Sequence, residues 1–376
     1  MSEQNSKPRG SAVRPRPILM IPLRRCGSHA IRLRLNFNTA FYSPYPLHIV
    51  DFMPLAPLYG DLGDDERYFQ LVVDLVGLVN ASMVKWDKVV LDPVILFERL
   101  RSEPRGVDRV VWEMLFEAGR AHNASVVMDK SLDSVHHAEE LVQLFDDFRF
   151  LNVVRDPRAQ IASMNRAIIH EYDTLLNAEI WARAHNAARR LLSRYPERVL
   201  TVRFEDFVAD QEAVLRQVCT FIGIDFLPEM LDVARSEEAR QISGLSALWQ
   251  SNLSRPIPAN VDKFKKSLSL EEIEIIETLT GGHMDTYGYE RMTSGAATIT
   301  TRQIQAAREG SEKKRQEAWA QLKRTNHRDF VLRRFRADYL QMLKARLEAH
   351  ASQAFGPQQF SRSSGRATTD NHLSLG

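Results

Sequence analysis

The chain has 376 residues, 44% of them hydrophobic, enough for one large domain or two modest ones. Its formal net charge of +2 argues against bulk nucleic-acid binding, and two cysteines, Cys26 and Cys219, are too few for a disulfide framework. No apolar run reaches the roughly 18 residues that a membrane span needs, so a cytoplasmic protein working in a reducing compartment is the expectation.

Residues 1–16 are polar and rich in Pro and Arg, the composition of a disordered basic terminus. PILMIPL (17–23) follows this head but is broken by Pro17 and Pro22. Two arginines come next instead of a small-residue cleavage site, so the run reads as a first core strand centred on Ile18–Ile21. A helix is expected from Gly27 or Ser28 to about Phe37, then an irregular aromatic loop over 38–50, with LHIVDFM (47–53) as a second strand. The helix expected over 64–80 puts Phe69, Val72, Val73, Val76 and Val79 on one face. Helices over 93–101 and 107–122 follow, then a strand over 125–129 and a helix over 134–146.

A strand is expected over 149–154. Asp156 then suits an N-cap and Pro157 the first position of a helix running to about Ile169. Beyond it come a helix over 174–194, a strand over 199–204, a helix over 210–222 stopped by Gly223, and a late helix over 270–280 closed by Gly281 and Gly282. Strands alternating with helices predict an α/β fold with a parallel sheet flanked by helices. Over 302–350 Lys and Arg are about twice as frequent as Asp and Glu. Leu332, Phe335, Tyr339 and Met342 recur at helical spacing, as do Leu340, Leu343 and Leu347. A helical extension over 300–350 is expected, packed on its own domain or on a partner copy, and 351–376 reads as a disordered tail. There is no internal repeat.

Two stretches carry the chemistry. In RRCGSHAIR (24–32) a strand ends in two arginines, Gly27 lets backbone approach an anion, and Ser28 starts a helix. The first amides of a helix form an anion site. The phosphate loop GxxxxGK[ST] is absent, which disfavours a nucleotide kinase or GTPase. In FLNVVRDPRAQIAS (150–163) Arg155 closes a strand and Ser163 lies eight positions on, within reach of one phosphate. Two such sites on neighbouring parallel strands are suited to gripping both ends of one phosphorylated nucleotide.

These residues resemble the sulfotransferases that use 3′-phosphoadenosine 5′-phosphosulfate. RCGSH (25–29) is similar to their 5′-phosphosulfate loop, and VVRDPRAQIAS (153–163) to their 3′-phosphate motif. MDKS (128–131), VRFEDF (202–207), FIGI (221–224) and the closing stretch 262–290 resemble further family patterns in the same order, so the resemblance covers about 18–290. Cys26, His29 and Phe204 depart from the usual Ser, Thr and Tyr, which removes side-chain hydroxyls but keeps the loop amides.

The resemblance implies a P-loop-like parallel sheet in a sulfotransferase domain over 17–292, and sulfuryl transfer to an acceptor hydroxyl of a carbohydrate, lipid or peptide tyrosine. It assigns nucleotide binding to Arg25, Cys26, Gly27, Ser28, His29, Arg155, Ser163 and Phe204. It also implies a lid segment carrying Arg255 and Lys263, with Lys263 the closest positional match. Arg25, then Lys130, are expected at the bridging oxygen. Asp51, then His48, then His29, are candidates for the general base. His136 and His137 read as solvated helix residues. No metal is expected, since no His, Cys or carboxylate cluster has ligand spacing. The acceptor is not legible, and a homo-oligomer or partner contact through the C-terminal helix is open. A non-catalytic interaction protein retaining the fold is the other alternative.

Overall fold

The computed structural model describes residues 14–253 and 258–355. Residues 1–13 and 356–376, read above as disordered ends, and Arg255 lie outside the described residues.

The first strand, β1 (Arg16–Ile21), is buried from Pro17 onward except for a half-buried first residue. It begins earlier than its apolar core because Arg16 pairs with Asp147 at 2.5 Å and donates its N–H to Ser125 at 2.8 Å. The chain continues through α1 (Ser28–Leu35), β2 (Phe41–Tyr42), α2 (Asp65–Asn80), α3 (Pro93–Leu100) and α4 (Val107–Ala121). Next come β3 (Val126–Asp129), α5 (Ala138–Leu144), β4 (Arg149–Val154), α6 (Pro157–Met164), α7 (Thr174–Arg194) and β5 (Val199–Arg203). After these lie α8 (Phe204–Ala209), α9 (Gln211–Ile222), α10 (Glu237–Ser243) and α11 (Leu270–Tyr287). Two long helices, α12 (Thr301–Thr325) and α13 (His327–Phe355), end the described chain.

All five strands run parallel in the order β2-β3-β1-β4-β5. Successive side chains of a strand point to opposite faces, and both faces are covered. Ile18, Met20, Met128, Leu151 and Val153 pack on one side with Ile31 of α1 and Val218 and Ile222 of α9. Leu19, Ile21, Val127 and Phe150 pack on the other with Trp112 of α4, Ile161 of α6 and Trp181 of α7. Chain order reverses at β1, which lies between β3 and β4. That arrangement opens a crevice at the carboxyl ends of these three strands, where open α/β sheets take ligands.

Four expectations change. LHIVDFM is not a strand: it folds as 3₁₀ turns over Ile49–Asp51 and Met53–Tyr59. His48 in left-handed backbone, at φ 52°, breaks the extended run, and the strand position passes to Phe41–Tyr42, inside the expected loop. The helix expected over 134–146 begins as a 3₁₀ turn, Leu132–His137, before α5. The helix at Pro157 stops at Met164, because Asn165 turns the chain by bonding Thr174 and Asn177 through its side chain. The late helix runs through Gly281 and Gly282 to Tyr287. Gly288, at φ 72°, ends it instead, and the Arg291 guanidinium covers the space above Gly281.

The extension packs on the same body. Leu340, Leu343 and Leu347 of α13 join the main core, and Tyr339 donates its hydroxyl to the Asp74 carbonyl on α2 at 3.0 Å. Ala307 of α12 packs on Leu175 and Leu176, and Ser311 and Arg315 both bond Glu171. Among the described residues no helix is long and apolar enough to cross a membrane. A methyl group on Gly77 of α2 would meet the Tyr339 hydroxyl oxygen at 2.0 Å. Gly77→Ala is therefore expected to destabilise the chain by about 1–3 kcal/mol through overpacking, read as a lowered urea midpoint with unchanged slope. An unchanged midpoint would show that α13 does not dock on α2 this closely.

Candidate active site

The turn after β1 is strained in the way an anion loop requires. Arg25 and Gly27 both adopt left-handed backbone, at φ 72° and 90°. Gly27 offers α1 no side-chain cap, which leaves the first helical amides for an external acceptor. It is also tightly packed, since a Cβ there would lie 2.2 Å from the Phe204 ring. Ser28 is buried beside it. Cys26 turns its side chain into the core beneath the sheet, and burial pushes its thiol up to about 11.

The second stretch differs from its expected form. The N-terminus of α6 is already closed: Asp156 accepts from the Arg158 amide at 2.9 Å and pairs with the Arg158 guanidinium at 2.7 Å. What remains for an anion is side-chain chemistry, Arg155 at the end of β4 and Ser163 two turns into the helix. The two stretches meet directly. Arg155 donates to the Arg25 carbonyl at 3.0 Å, and Arg25 donates through Nε to Ser163 Oγ at 3.1 Å. The Arg155 guanidinium lies 5.0 Å over the Phe204 ring, so this ring touches both loops. Phe204 thus serves as a platform where the family pattern has a phenol. Arg25 bridges towards Ser163 instead of standing free above the loop.

Two residues that the sequence reading did not single out hold this junction. Gln160 is fully buried, donates to the Arg24 carbonyl at 2.8 Å and accepts from the Trp181 indole at 3.0 Å. Glu205 accepts the Asp156 amide at 3.0 Å and the Tyr289 hydroxyl at 2.8 Å. Both lie inside the quoted motifs, Gln160 five positions after Arg155 and Glu205 next to Phe204, and that position was the available signal.

Charge divides the cations near the loops into two groups. Arg24 pairs with Asp133 at 2.6 Å, and Arg32 pairs with Glu238. Among the described residues no ion pair joins Arg25, Arg155 or Lys130 to a carboxylate. Lys130 follows β3 and is 2% exposed. Burial, followed by Arg32, lowers its ammonium to about 7. Burial and the neighbouring Arg155 lower Arg25 to about 10. Nδ1 of His29 and Nε of Arg155 are buried without a partner. Half-buried Arg25 and Arg155, buried Lys130 and the two orphaned nitrogens, at the ends of β1, β3 and β4, fit an anion charged at two ends.

The acceptor-side candidates separate. His48 and His29 lie near Lys130, and burial holds both imidazoles well below their ordinary range, helped by Lys130 for His29 and by Arg24 and Lys130 for His48. Both are neutral at pH 7. Asp51, the first choice for a base, is committed to a buried ion pair with Arg336 of α13 at 2.7 Å. His136 is exposed and His137 half-buried, both on the 3₁₀ turn before α5. Lys263 is exposed on the 3₁₀ segment Pro258–Lys266, which rests on α6 with Phe264 4.8 Å beneath the Arg158 guanidinium. Among the described residues no group of three or more His, Cys, Asp or Glu is placed to hold a metal ion.

Residues 17–228, more than half of the chain, match the model described as the sulfotransferase family. The chain belongs to that family, a class of transferases that move a sulfuryl group. Carbohydrate sulfotransferase 3 of Mus musculus is 26% identical over 179 residues, 42% of this chain and 37% of that protein. The chain therefore spans little more than a third of that relative's length. The fold is similar to the sulfotransferase domain from the curacin biosynthetic pathway, at 19% identity and a TM-score of 0.50, over 75% of this chain and all of that one. The sulfotransferase domain from the Synechococcus PCC 7002 olefin synthase aligns at 22% identity and a TM-score of 0.49, over 77% of this chain and 99% of that one.

Lys130 gives the ligand-free protein a pH signature. Its folded pKa of about 7 lies below the usual 10.5, so between these values the unfolded chain binds more protons and stability rises with pH. This one group contributes a slope of up to about 1.4 kcal/mol per pH unit. Urea midpoints at pH 7, 8 and 9 should climb in the wild type and climb less in Lys130→Met. Equal slopes in the two proteins would mean that Lys130 is not buried as a charge.

Proposed function

We propose that this chain transfers the sulfuryl group of 3′-phosphoadenosine 5′-phosphosulfate to an acceptor hydroxyl. The observation that carries the reading is the set of three basic residues, half-buried Arg25 and Arg155 and buried Lys130, gathered at the amide loop of Gly27–Ser28 with no ion pair to a carboxylate among the described residues. The donor supplies the reactive sulfuryl group and leaves as adenosine 3′,5′-bisphosphate. Arg155, with Ser163 and Arg25 beside it, suits the 3′-phosphate. The amides of the Gly27 loop and Lys130 suit the 5′ end. A transition state of this kind spreads charge over oxygen atoms, as in phosphoryl transfer, and fixed cations stabilise that charge without reorganising. Lys130, whose neighbours are His29 and His48, takes the place beside the transferring group. His48 is the base of choice: its imidazole is neutral at pH 7, and Asp51 is engaged by Arg336.

The name of the murine relative supports a sugar hydroxyl as the first acceptor class to examine. The aromatic-rich segment 38–122 is the region for the acceptor, with lipid headgroup and peptide tyrosine as further arms of a panel with labelled donor.

Calorimetry with adenosine 3′,5′-bisphosphate tests the nucleotide site. Binding should be tight in the wild type and about 100-fold weaker in Arg155→Ala, the cost of deleting one partner of a buried charged contact. At pH 8 both ligand phosphates are already dianionic, while Lys130 is largely neutral. Its ammonium re-forms beside the phosphates, so binding should take up close to one proton, seen as a dependence of the heat on buffer ionisation. Lys130→Met should abolish that uptake. Absence of binding at tens of micromolar would overturn the proposed donor.

A further inference from the structure

We propose that the C-terminal helix α13 is a working part of the transfer site, in which Arg336 positions His48 and the Asp329–Arg333 pair holds Trp249 against Tyr45 and His29. The proposal rests on the reading of His48 and Lys130 as the acceptor side of the site.

His48 is a non-glycine residue in left-handed backbone, at φ 52°, a conformation that persists only where its surroundings impose it. Both of its peptide groups are held. Its N–H donates to Ser131 Oγ at 3.1 Å, and Ser131 in turn donates to Asp129 at 2.8 Å. Its carbonyl accepts from Arg336 at 3.2 Å, and the preceding Leu47 carbonyl accepts from the same guanidinium nitrogen at 2.9 Å. The other end of that guanidinium pairs with Asp51 at 2.7 Å. One planar fork therefore ties down both ends of the segment 47–51, a task that a single ammonium cannot perform.

One turn earlier, α13 holds a second segment. Asn326, just before the helix, donates to the Leu245 carbonyl at 3.1 Å. Ser246 donates to Asp329 at 2.6 Å, and Asp329 pairs with Arg333 at 2.8 Å. The Arg333 guanidinium lies 5.7 Å over the Trp249 ring. Trp249 meets Tyr45 edge-on at 5.7 Å and His29 at 6.5 Å, while the Leu248 carbonyl accepts from Arg25 at 3.4 Å. Residues 329, 333 and 336 share one face of the helix, and all three are nearly or fully buried. Buried ion pairs add little net stability but specify geometry, and here the geometry is that of two segments meeting at His29, His48 and Arg25. The groups facing His48 are Arg24, Lys130, Arg336, Arg333 and His29, so removal of Arg336 also deletes a cation from its surroundings.

The experiment uses the full chain saturated with adenosine 3′,5′-bisphosphate, with ¹³C-labelled histidine followed by NMR across pH, in the wild type, Arg336→Met and Arg336→Lys. His48, assigned with His48→Gln, should titrate below 6.5 in the wild type and about one pH unit higher in Arg336→Met, since a nearby buried like charge is gone. Arg336→Lys should keep the low midpoint but shift the resonance, because it keeps the charge and loses the fork. Bisphosphate affinity should stay within about twofold in both, and transfer to the acceptor found by the panel should fall at least about tenfold in kcat in Arg336→Met, with partial rescue in Arg336→Lys. An unchanged His48 midpoint and kcat in Arg336→Met would overturn the proposal while leaving the nucleotide site intact. Wild-type protein that binds no bisphosphate would overturn the underlying reading and this proposal with it. If Arg336→Met fails to fold, Asp329→Asn gives the same decision: kcat reduced with nucleotide affinity retained supports the proposal, and kcat unchanged refutes it.

Discussion

Withdrawing a basic group from water with no carboxylate in ion-pair contact is costly, and among the described residues this fold does so in one crevice with two half-buried arginines and a buried lysine whose ammonium is lowered to about 7. Arg25, Lys130 and Arg155 stand at or just beyond the carboxyl ends of β1, β3 and β4, and only the strand order that sets β1 between the other two brings them together. The cations around them are neutralised one by one, Arg24 by Asp133, Arg32 by Glu238, Arg333 by Asp329 and Arg336 by Asp51. The paired arginines build the walls, while among the described residues Arg25 and Arg155 make no ion pair with a carboxylate. That division says more about function than the chain's net charge, which is close to zero.

The rest of the structure keeps these charges in register. Phe204 wedges between Gly27 and Arg155, Gln160 ties the first turn to α7, and Glu205 holds the Asp156 amide. With Asp156 sealing the end of α6, the second stretch presents side chains to the crevice and the first presents backbone amides. On the proposed reading the two would hold phosphate by different means, and a loop that acts through its amides is indifferent to the side chains at Cys26 and His29.

Much was legible in the linear pattern. The strands around Ile18–Ile21, Val126–Asp129 and Arg149–Val154 are largely buried apolar runs, Val199–Arg203 is a half-buried edge strand, and the helices over 65–80, 107–121 and 174–194 carry apolar stripes at helical spacing, so local periodicity sufficed. It failed at LHIVDFM, an apolar run that His48 in left-handed backbone turns into a 3₁₀ segment, and at Gly281–Gly282, where a helix passed through two glycines with Arg291 packed over the first. The motif residues around Arg155 were visible, yet Asp51 was misleading: a carboxylate next to a candidate site looks like a base until its partner, 285 positions away, is known.

By itself the sequence determined the α/β class, the two basic turns and the family, because these depend on short-range periodicity and on motifs a few residues long. Only the tertiary structure decided which cations are paired, which histidines are buried and neutral, and that α13 reaches back to the loop at His48. Those properties depend on contacts between residues up to hundreds of positions apart, and the electrostatic environment of a side chain is set by its neighbours in space.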